Sequence, residues 1–228
     1  MIKQNAQTMP QTLRSDQVDP NPVASVRLEY GINKLWPTTV MLEQIKNKEI
    51  IDNVAETIIA NFNLQTPPID GDDYDVLRDG GEILQDFQKL VVEPTFEKYL
   101  QEVFGLDLAG CKGHYFRAWL TGPYTGYSIR PHNHSWSCVS AVFYFLCNER
   151  DVGGELILMD PRVNANRGYE EPMKSLFAEQ KFLPNTYDVI MFPSFMYHYT
   201  LPFKGTLRVA MTVDFFPGIM SSVINNTL

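Results

Sequence analysis

Three of the four histidines in this chain are spaced so that they could share one ligand. His132 and His134 stand at i and i+2 in Tyr124–Leu146, YTGYSIRPHNHSWSCVSAVFYFL. In extended backbone, side chains two apart point to the same face. Two imidazoles held that way can grip one metal ion. A third protein ligand is available much later, at His198 in FPSFMYHYTLPFKGTLRVAMTVDFF. Neutral imidazole suits iron, zinc, copper and nickel, so residue type alone does not name the metal. His114, the fourth histidine, precedes the cluster and reads as a core or surface residue.

The residues around these histidines form an ordered series. Tyr124-x-Gly126 precedes the pair, and Ser140-x-Val142-x-Tyr144 follows it. Gly153-Gly154-Glu155-Leu156 and Asp160-Pro161-Arg162 come next. Phe192-Pro193-Ser194 leads into His198, Pro202 follows it, and Arg208 comes ten residues after it. Leu35-Trp36-Pro37-Thr38 stands far upstream. This order resembles the 2-oxoglutarate- and Fe(II)-dependent oxygenases. It is most similar to a prolyl-hydroxylase-like bacterial and phage branch that carries HxH in place of HxD. The likeness covers about residues 120–216 and is faint before them.

The resemblance implies a double-stranded β-helix, with Fe(II), 2-oxoglutarate and O₂ as cofactors. It implies His132, His134 and His198 as metal ligands. The far carboxylate of 2-oxoglutarate must be paired when it leaves water. Arg208 can do this with a two-pronged charged hydrogen bond, and by resemblance Tyr124 and Tyr144 add hydroxyls. Thr212 shares a strand face with Arg208 if that strand is regular and could add another. The family's Arg-x-Ser or Arg-x-Thr is broken by Ala210. Arg130, Trp136, Arg162 and Tyr197 are candidate substrate contacts. The implied reaction hydroxylates a C–H bond of a peptide or protein side chain, or of a small molecule, with release of succinate and CO₂. His134 stands where the usual facial triad has a carboxylate, which leaves the Fe(II) site one unit more positive. Two rivals stay open: a cupin-like three-His iron dioxygenase that uses no 2-oxoglutarate, and a non-catalytic jelly-roll binding module.

The elements that must position these residues follow from the hydrophobic pattern. From His114 onward, β-branched and aromatic runs alternate with Gly, Pro and Asn. They predict strands at 114–121, 127–131, 139–146, 155–159, 187–192, 197–203 and 206–215, a sandwich or barrel spacing. Further short strands are expected at 25–30 and 35–44. Ile51, Val54, Ile58 and Phe62 recur at helical spacing after Asn47, a plausible N-cap. Residues 66–81 read as a loop whose DGDDYD run lacks the Gly and Glu of a calcium loop. Residues 82–104 read as a helix burying Ile83, Phe87, Leu90 and Val91, kinked or divided at Pro94. Residues 164–181 read as a long excursion over the site.

The expected architecture is therefore mainly β with N-terminal helices: a flexible arm over 1–24, then one domain over 25–228. Within it, helices over about 45–104 buttress a jelly-roll core over about 113–217. The chain of 228 residues has net charge −8 and pI about 5.0, which argues against general nucleic-acid or anionic-membrane partners. Three cysteines, Cys111, Cys138 and Cys147, do not suggest a disulfide framework. The N-terminus lacks an apolar signal region, and no apolar run has membrane-spanning length, so a cytoplasmic location is expected.

Overall fold

In the computed structural model, described residues are 3–4, 26–27, 38–67, 69, 73–122, 124–147, 149, 152–162, 167–170 and 179–218. The chain divides into two units, Met1–Thr38 and Thr39–Leu228. In the first, β1 (Lys3–Gln4) pairs antiparallel with β2 (Val26–Arg27). Otherwise the expected arm, the 25–30 strand and the Leu-Trp-Pro triplet lie outside the described residues, as do Asp70–Asp72 and most of 164–181.

The second unit begins with β3 (Met41–Gln44) and α1 (Lys48–Asn61). Asn47 caps α1, its side chain accepting from the Ile50 N–H at 3.4 Å, and Ile51, Val54 and Ile58 are buried. The segment read as a loop contains a short helix, α2 (Val76–Asp79). Asp75 makes it: Oδ1 accepts from Leu77 and Arg78 N–H groups at 3.0 and 3.1 Å. Its Oδ2 also accepts from the Ala118 N–H at 3.2 Å, tying the helix to the sheet.

Pro94 does divide the long helix. α3 (Glu82–Phe87) passes into a π-helical turn, Gln88–Val92, and then α4 (Glu93–Phe104). Proline has no N–H to continue the ladder, and the wider turn absorbs the defect. The extra residue moves the apolar stripe from Gln88 onward. Leu84, Phe87, Val91, Val92 and Phe96 are buried, whereas Ile83 and Leu90 of the expected face are exposed.

The remaining strands are β4 (Tyr115–Thr121), β5 (Val139–Leu146), β6 (Leu156–Leu158), β7 (Gln180–Phe182), β8 (Asp188–Pro193), β9 (His198–Thr200) and β10 (Val209–Phe216). They form two sheets, in the orders β3-β8-β5-β10-β4 and β7-β6-β9, with antiparallel pairing throughout. The central strands of the large sheet are buried on both faces, and alternation decides which layer each residue joins. Val139, Ala141, Phe143, Met211, Val213 and Phe215 pack with the helices. Val142, Tyr144, Ile190, Phe192 and Ala210 pack with Leu156 and Leu158 of the small sheet. The site is built on this second, interior face.

The 127–131 strand does not form. Pro131 cannot donate to a ladder, and side-chain bonding replaces part of the pairing. The Ile129 N–H donates to Thr200 Oγ1 at 2.8 Å, the Thr200 N–H to the Ile129 carbonyl at 3.1 Å, and the Phe203 N–H to the Tyr127 carbonyl at 2.9 Å. The segment thus lies along β9 as an irregular fourth strand. Cys138, one residue before β5, is exposed. No described helix is long and apolar enough to cross a membrane.

Candidate metal centre

His132 reaches the site through the small sheet. It forms an isolated antiparallel bridge with His198, with main-chain bonds of 3.0 and 2.8 Å. The bridge sets the two imidazoles side by side, ring centroids 4.3 Å apart. His134 arrives differently from the strand-face expectation, because no strand runs through it. Its N–H donates to the Ser194 carbonyl at 3.0 Å, in the turn after β8. Trp119 of β4 lies against its ring at 5.2 Å.

The hydrogen bonds on the outer ring nitrogens fix the tautomers. His132 Nδ1 lies 2.9 Å from the Arg130 carbonyl, and His198 Nδ1 lies 3.0 Å from the Met196 carbonyl. A carbonyl only accepts, so each Nδ1 carries a proton, and in the neutral ring this leaves the Nε2 lone pair free. His134 Nδ1 is 2.8 Å from Asp214 Oδ1 and 3.0 Å from Ser140 Oγ, which makes it a donor too. His134 Nε2 and His132 Nε2 then face each other at 3.2 Å. Two lone pairs that close repel, and either a shared proton or a metal ion between them relieves the contact. One ligand atom from each histidine lies within 4.8 Å of the others. Burial pushes the His198 pKa down to about 3, the Met196 carbonyl opposes it, and any protonation of His132 or His134 would push it down further. His198 is therefore neutral, as a ligand must be. Three converging neutral imidazoles fit a borderline divalent cation such as Fe(II).

Arg208 immediately precedes β10 and is 4% exposed. Its Nη1 donates to the Gly154 carbonyl, and its guanidinium lies 5.0 Å from the Phe203 ring centroid. Its Nε has no hydrogen-bond partner among the described residues. A buried cation with an open donor suits the far carboxylate of a keto diacid. Of the Gly-Gly pair, Gly154 makes the seat. Gly154 has φ +77°, and a Cβ there would collide with the guanidinium.

Tyr144 is buried on the interior face of β5. Burial raises its pKa strongly, while the Arg208 charge opposes that shift. Tyr127 shows the same two influences, so both phenols lie within electrostatic reach of Arg208. Tyr124 rests edge-on against Tyr127, centroids 5.4 Å apart. Thr212 is buried in β10 and pairs with Val142 and Trp119.

The four substrate candidates divide. Trp136 is 74% exposed with φ +74°, and Tyr197 is exposed beside His198. The side chain of Arg130 is exposed, and its carbonyl holds His132. Arg162 forms a fork to Asp160 within its own turn, Nε–Oδ1 2.9 Å and Nη2–Oδ2 2.6 Å, which is a loop-anchoring role. A cleft of about 1040 Å³ opens beside His134, the one histidine of the three that lines it, and is bordered by Asn133, Trp136, Asp214, Arg117 and Tyr115. Tyr127, Ser140, Ser194 and Asp214 were not assigned roles from the sequence. The available signal was a polar residue on the interior face of an apolar strand, which Ser140 and Asp214 both show.

Residues 117–214, less than half of the chain, match the family model described as "Putative 2OG-Fe(II) oxygenase". No curated protein sequence matches. Among solved structures, a Trichoplax adhaerens prolyl hydroxylase in complex with a hypoxia inducible factor oxygen degradation domain peptide fragment matches at 15% identity and TM-score 0.52, over 81% of this chain and 86% of that one. The non-heme alpha ketoglutarate dependent epimerase SnoN from nogalamycin biosynthesis matches at 8% identity and TM-score 0.51, over 78% and 77%. A Burkholderia pseudomallei oxidoreductase of the 2OG-Fe(II) oxygenase family matches at 14% identity and TM-score 0.45 over 60% of this chain, which spans 58% of that protein's length. At these identities the likeness to the first two is one of fold, the double-stranded β-helix.

Proposed function

We propose that this chain is a hydroxylase of the 2-oxoglutarate- and Fe(II)-dependent oxygenases, with Fe(II), 2-oxoglutarate and O₂ as its cofactors; the match of residues 117–214 to that family's model supports the reading. Its substrate is a C–H bond of a peptide or protein side chain, or of a small molecule. The observation that carries the reading is the convergence of three imidazoles whose outer nitrogens are all tied to acceptors. His132, His134 and His198 hold the iron. Arg208 pairs the far carboxylate of 2-oxoglutarate, with Tyr144, Tyr124 and Thr212 as hydroxyl neighbours. When bound, Fe(II) would supply the activation of O₂, with one oxygen atom going to 2-oxoglutarate as it becomes succinate and CO₂ and the other into the substrate C–H bond.

The protein's own part is placement and exclusion of water. The interior face of the large sheet supplies a dry wall of Val142, Ile190, Phe192 and Ala210 beneath the site. The open side is the cleft at His134 and Trp136, where a substrate would approach. Its size, and the peptide seen in the Trichoplax prolyl hydroxylase structure, support a peptide substrate. The buried Arg208 with its open donor favours this reading over a three-His dioxygenase that uses no keto acid. Labelled 2-oxoglutarate tests the proposal. Anaerobic protein loaded with Fe(II) and given O₂ should release labelled succinate slowly without substrate, and His198→Ala should release none. Full metal content with no succinate at millimolar 2-oxoglutarate would refute it.

A further inference from the structure

His134 differs from its two companions in what lies behind it. His132 and His198 donate to main-chain carbonyls, whereas His134 donates to a carboxylate. That carboxylate, Asp214, is 3% exposed, and the His134 side chain is 6% exposed. Ser140 Oγ donates to the same Asp214 oxygen at 2.6 Å and lies 2.8 Å from Ser194 Oγ. Both serines are fully buried. The four groups form a closed chain in the interior: β10 supplies Asp214, β5 supplies Ser140, the turn after β8 supplies Ser194, and the HxH segment supplies His134. The same turn holds the main chain of His134 through the Ser194 carbonyl. Ring and backbone of His134 are thus both fixed from one side.

The charges make the arrangement meaningful. A facial triad of two histidines and a carboxylate carries one negative charge. Three neutral histidines carry none. A carboxylate hydrogen-bonded to the outer nitrogen of a ligand imidazole raises the basicity of the inner nitrogen and shares its charge through the ring. We propose that Asp214 is the positioning residue of His134 and returns to the site, one ring further out, the negative charge that a carboxylate at position 134 would have supplied directly. Counting Asp214, the site has the same net charge as the usual triad. This rests on the metal-site reading above, with His134 as a ligand.

The test separates charge from hydrogen bonding. Asp214→Asn keeps an acceptor oxygen for His134 and Ser140 and removes the charge, while Asp214→Ala removes both. Metal affinity is read on apoprotein by anaerobic titration with Mn(II) and Fe(II), with no turnover needed. Outer-shell partners of metal ligands are typically worth about 10–100-fold in affinity. Asp214→Asn should weaken binding about tenfold or more, and Asp214→Ala further. Nitrogen-15 NMR of the folded Asp214→Asn apoprotein should still show the proton of His134 on Nδ1. Asp214→Glu should recover part of the affinity, which a packing defect would not. If the parent binds no metal, the metal-site reading itself has failed. If the parent binds and Asp214→Asn binds equally well, Asp214 only orients the ring and the charge proposal is overturned. Ser140→Ala checks for global damage: it should fold and bind metal less weakly than Asp214→Ala, and equal losses in the two would point to disrupted packing and overturn the proposal.

Discussion

At the scale of single residues, the chemistry was legible wherever a side chain's type is rare in its surroundings. Histidines at 132, 134 and 198, and an arginine inside an apolar run, stood out, and the structure brings the histidines together and buries the arginine. Asp214 and Ser140 were harder to read, because a short polar residue in a strand is ordinary until its partner is known. The partner, His134, is 80 residues from Asp214 in sequence. Arg208 carries the clearest residue-scale prediction. Removing one partner of a buried charge pair typically costs about 3–5 kcal/mol. Arg208→Ala should therefore weaken 2-oxoglutarate binding roughly a hundredfold to several-thousandfold and leave metal content unchanged. Isothermal titration against 2-oxoglutarate, with metal analysis of the same sample, checks both halves. Arg208→Lys should recover only part, since a point charge replaces a fork.

At the scale of elements, the strands expected at 114–121, 139–146, 155–159 and 187–192 agree to within a residue, and those at 197–203 and 206–215 overrun by three. β7 begins in the segment read as an excursion, and other differences have local causes. Pro131 kept 127–131 from laddering, so His132 and His134 converge through a single bridge and a turn. Pro94 forced a π-helical turn, and the extra residue rotated the buried face away from Leu90, while in α3, ahead of the turn, Leu84 is buried in place of Ile83. Asp75 made a helix where composition suggested only loop. Two substitutions test how these elements serve the site. Gly154→Ala puts a side chain at φ +77° against the Arg208 guanidinium. Strain of this kind costs about 1–3 kcal/mol, so the variant should fold with a lower melting temperature. It should require more 2-oxoglutarate for half-saturation while its Fe(II) affinity stays that of the parent. Phe96 of α4 is fully buried, with ring centroids 5.0 Å from Phe116 and 5.9 Å from Phe215. Phe96→Ala should cost about 3–5 kcal/mol in urea unfolding. It removes support directly beneath the strand that carries Asp214.

For the molecule as a whole, the two-sheet sandwich with helices on its larger face was expected from strand spacing and segment order. The assignment of each side chain to a layer was not, since a strand buried on both faces loses the alternation that reveals its inward side. The burial of His198 has a consequence for global stability. Its folded pKa, about 3, lies below the ordinary value of 6.5. Between those values the unfolded chain binds a proton that the folded chain refuses. Stability of the metal-free protein is thus whole above about pH 6.5 and falls as the pH drops toward 3, by about 1.4 kcal/mol per unit from this residue. Denaturant unfolding of apoprotein at pH 7 and pH 5 should show the loss, and His198→Ala should flatten that part of the profile.

The most direct test of the central claim is an optical titration under anaerobic conditions. Protein with one equivalent of Fe(II) is titrated with 2-oxoglutarate, and the visible spectrum is followed. A keto acid chelated to iron held by His132, His134 and His198 predicts a weak visible band that saturates with 2-oxoglutarate. The band should be absent in His132→Ala and His198→Ala and should need far more 2-oxoglutarate in Arg208→Ala. An Fe(II)-loaded parent protein with no such band at millimolar 2-oxoglutarate, or an undiminished band in both histidine variants, would contradict the account.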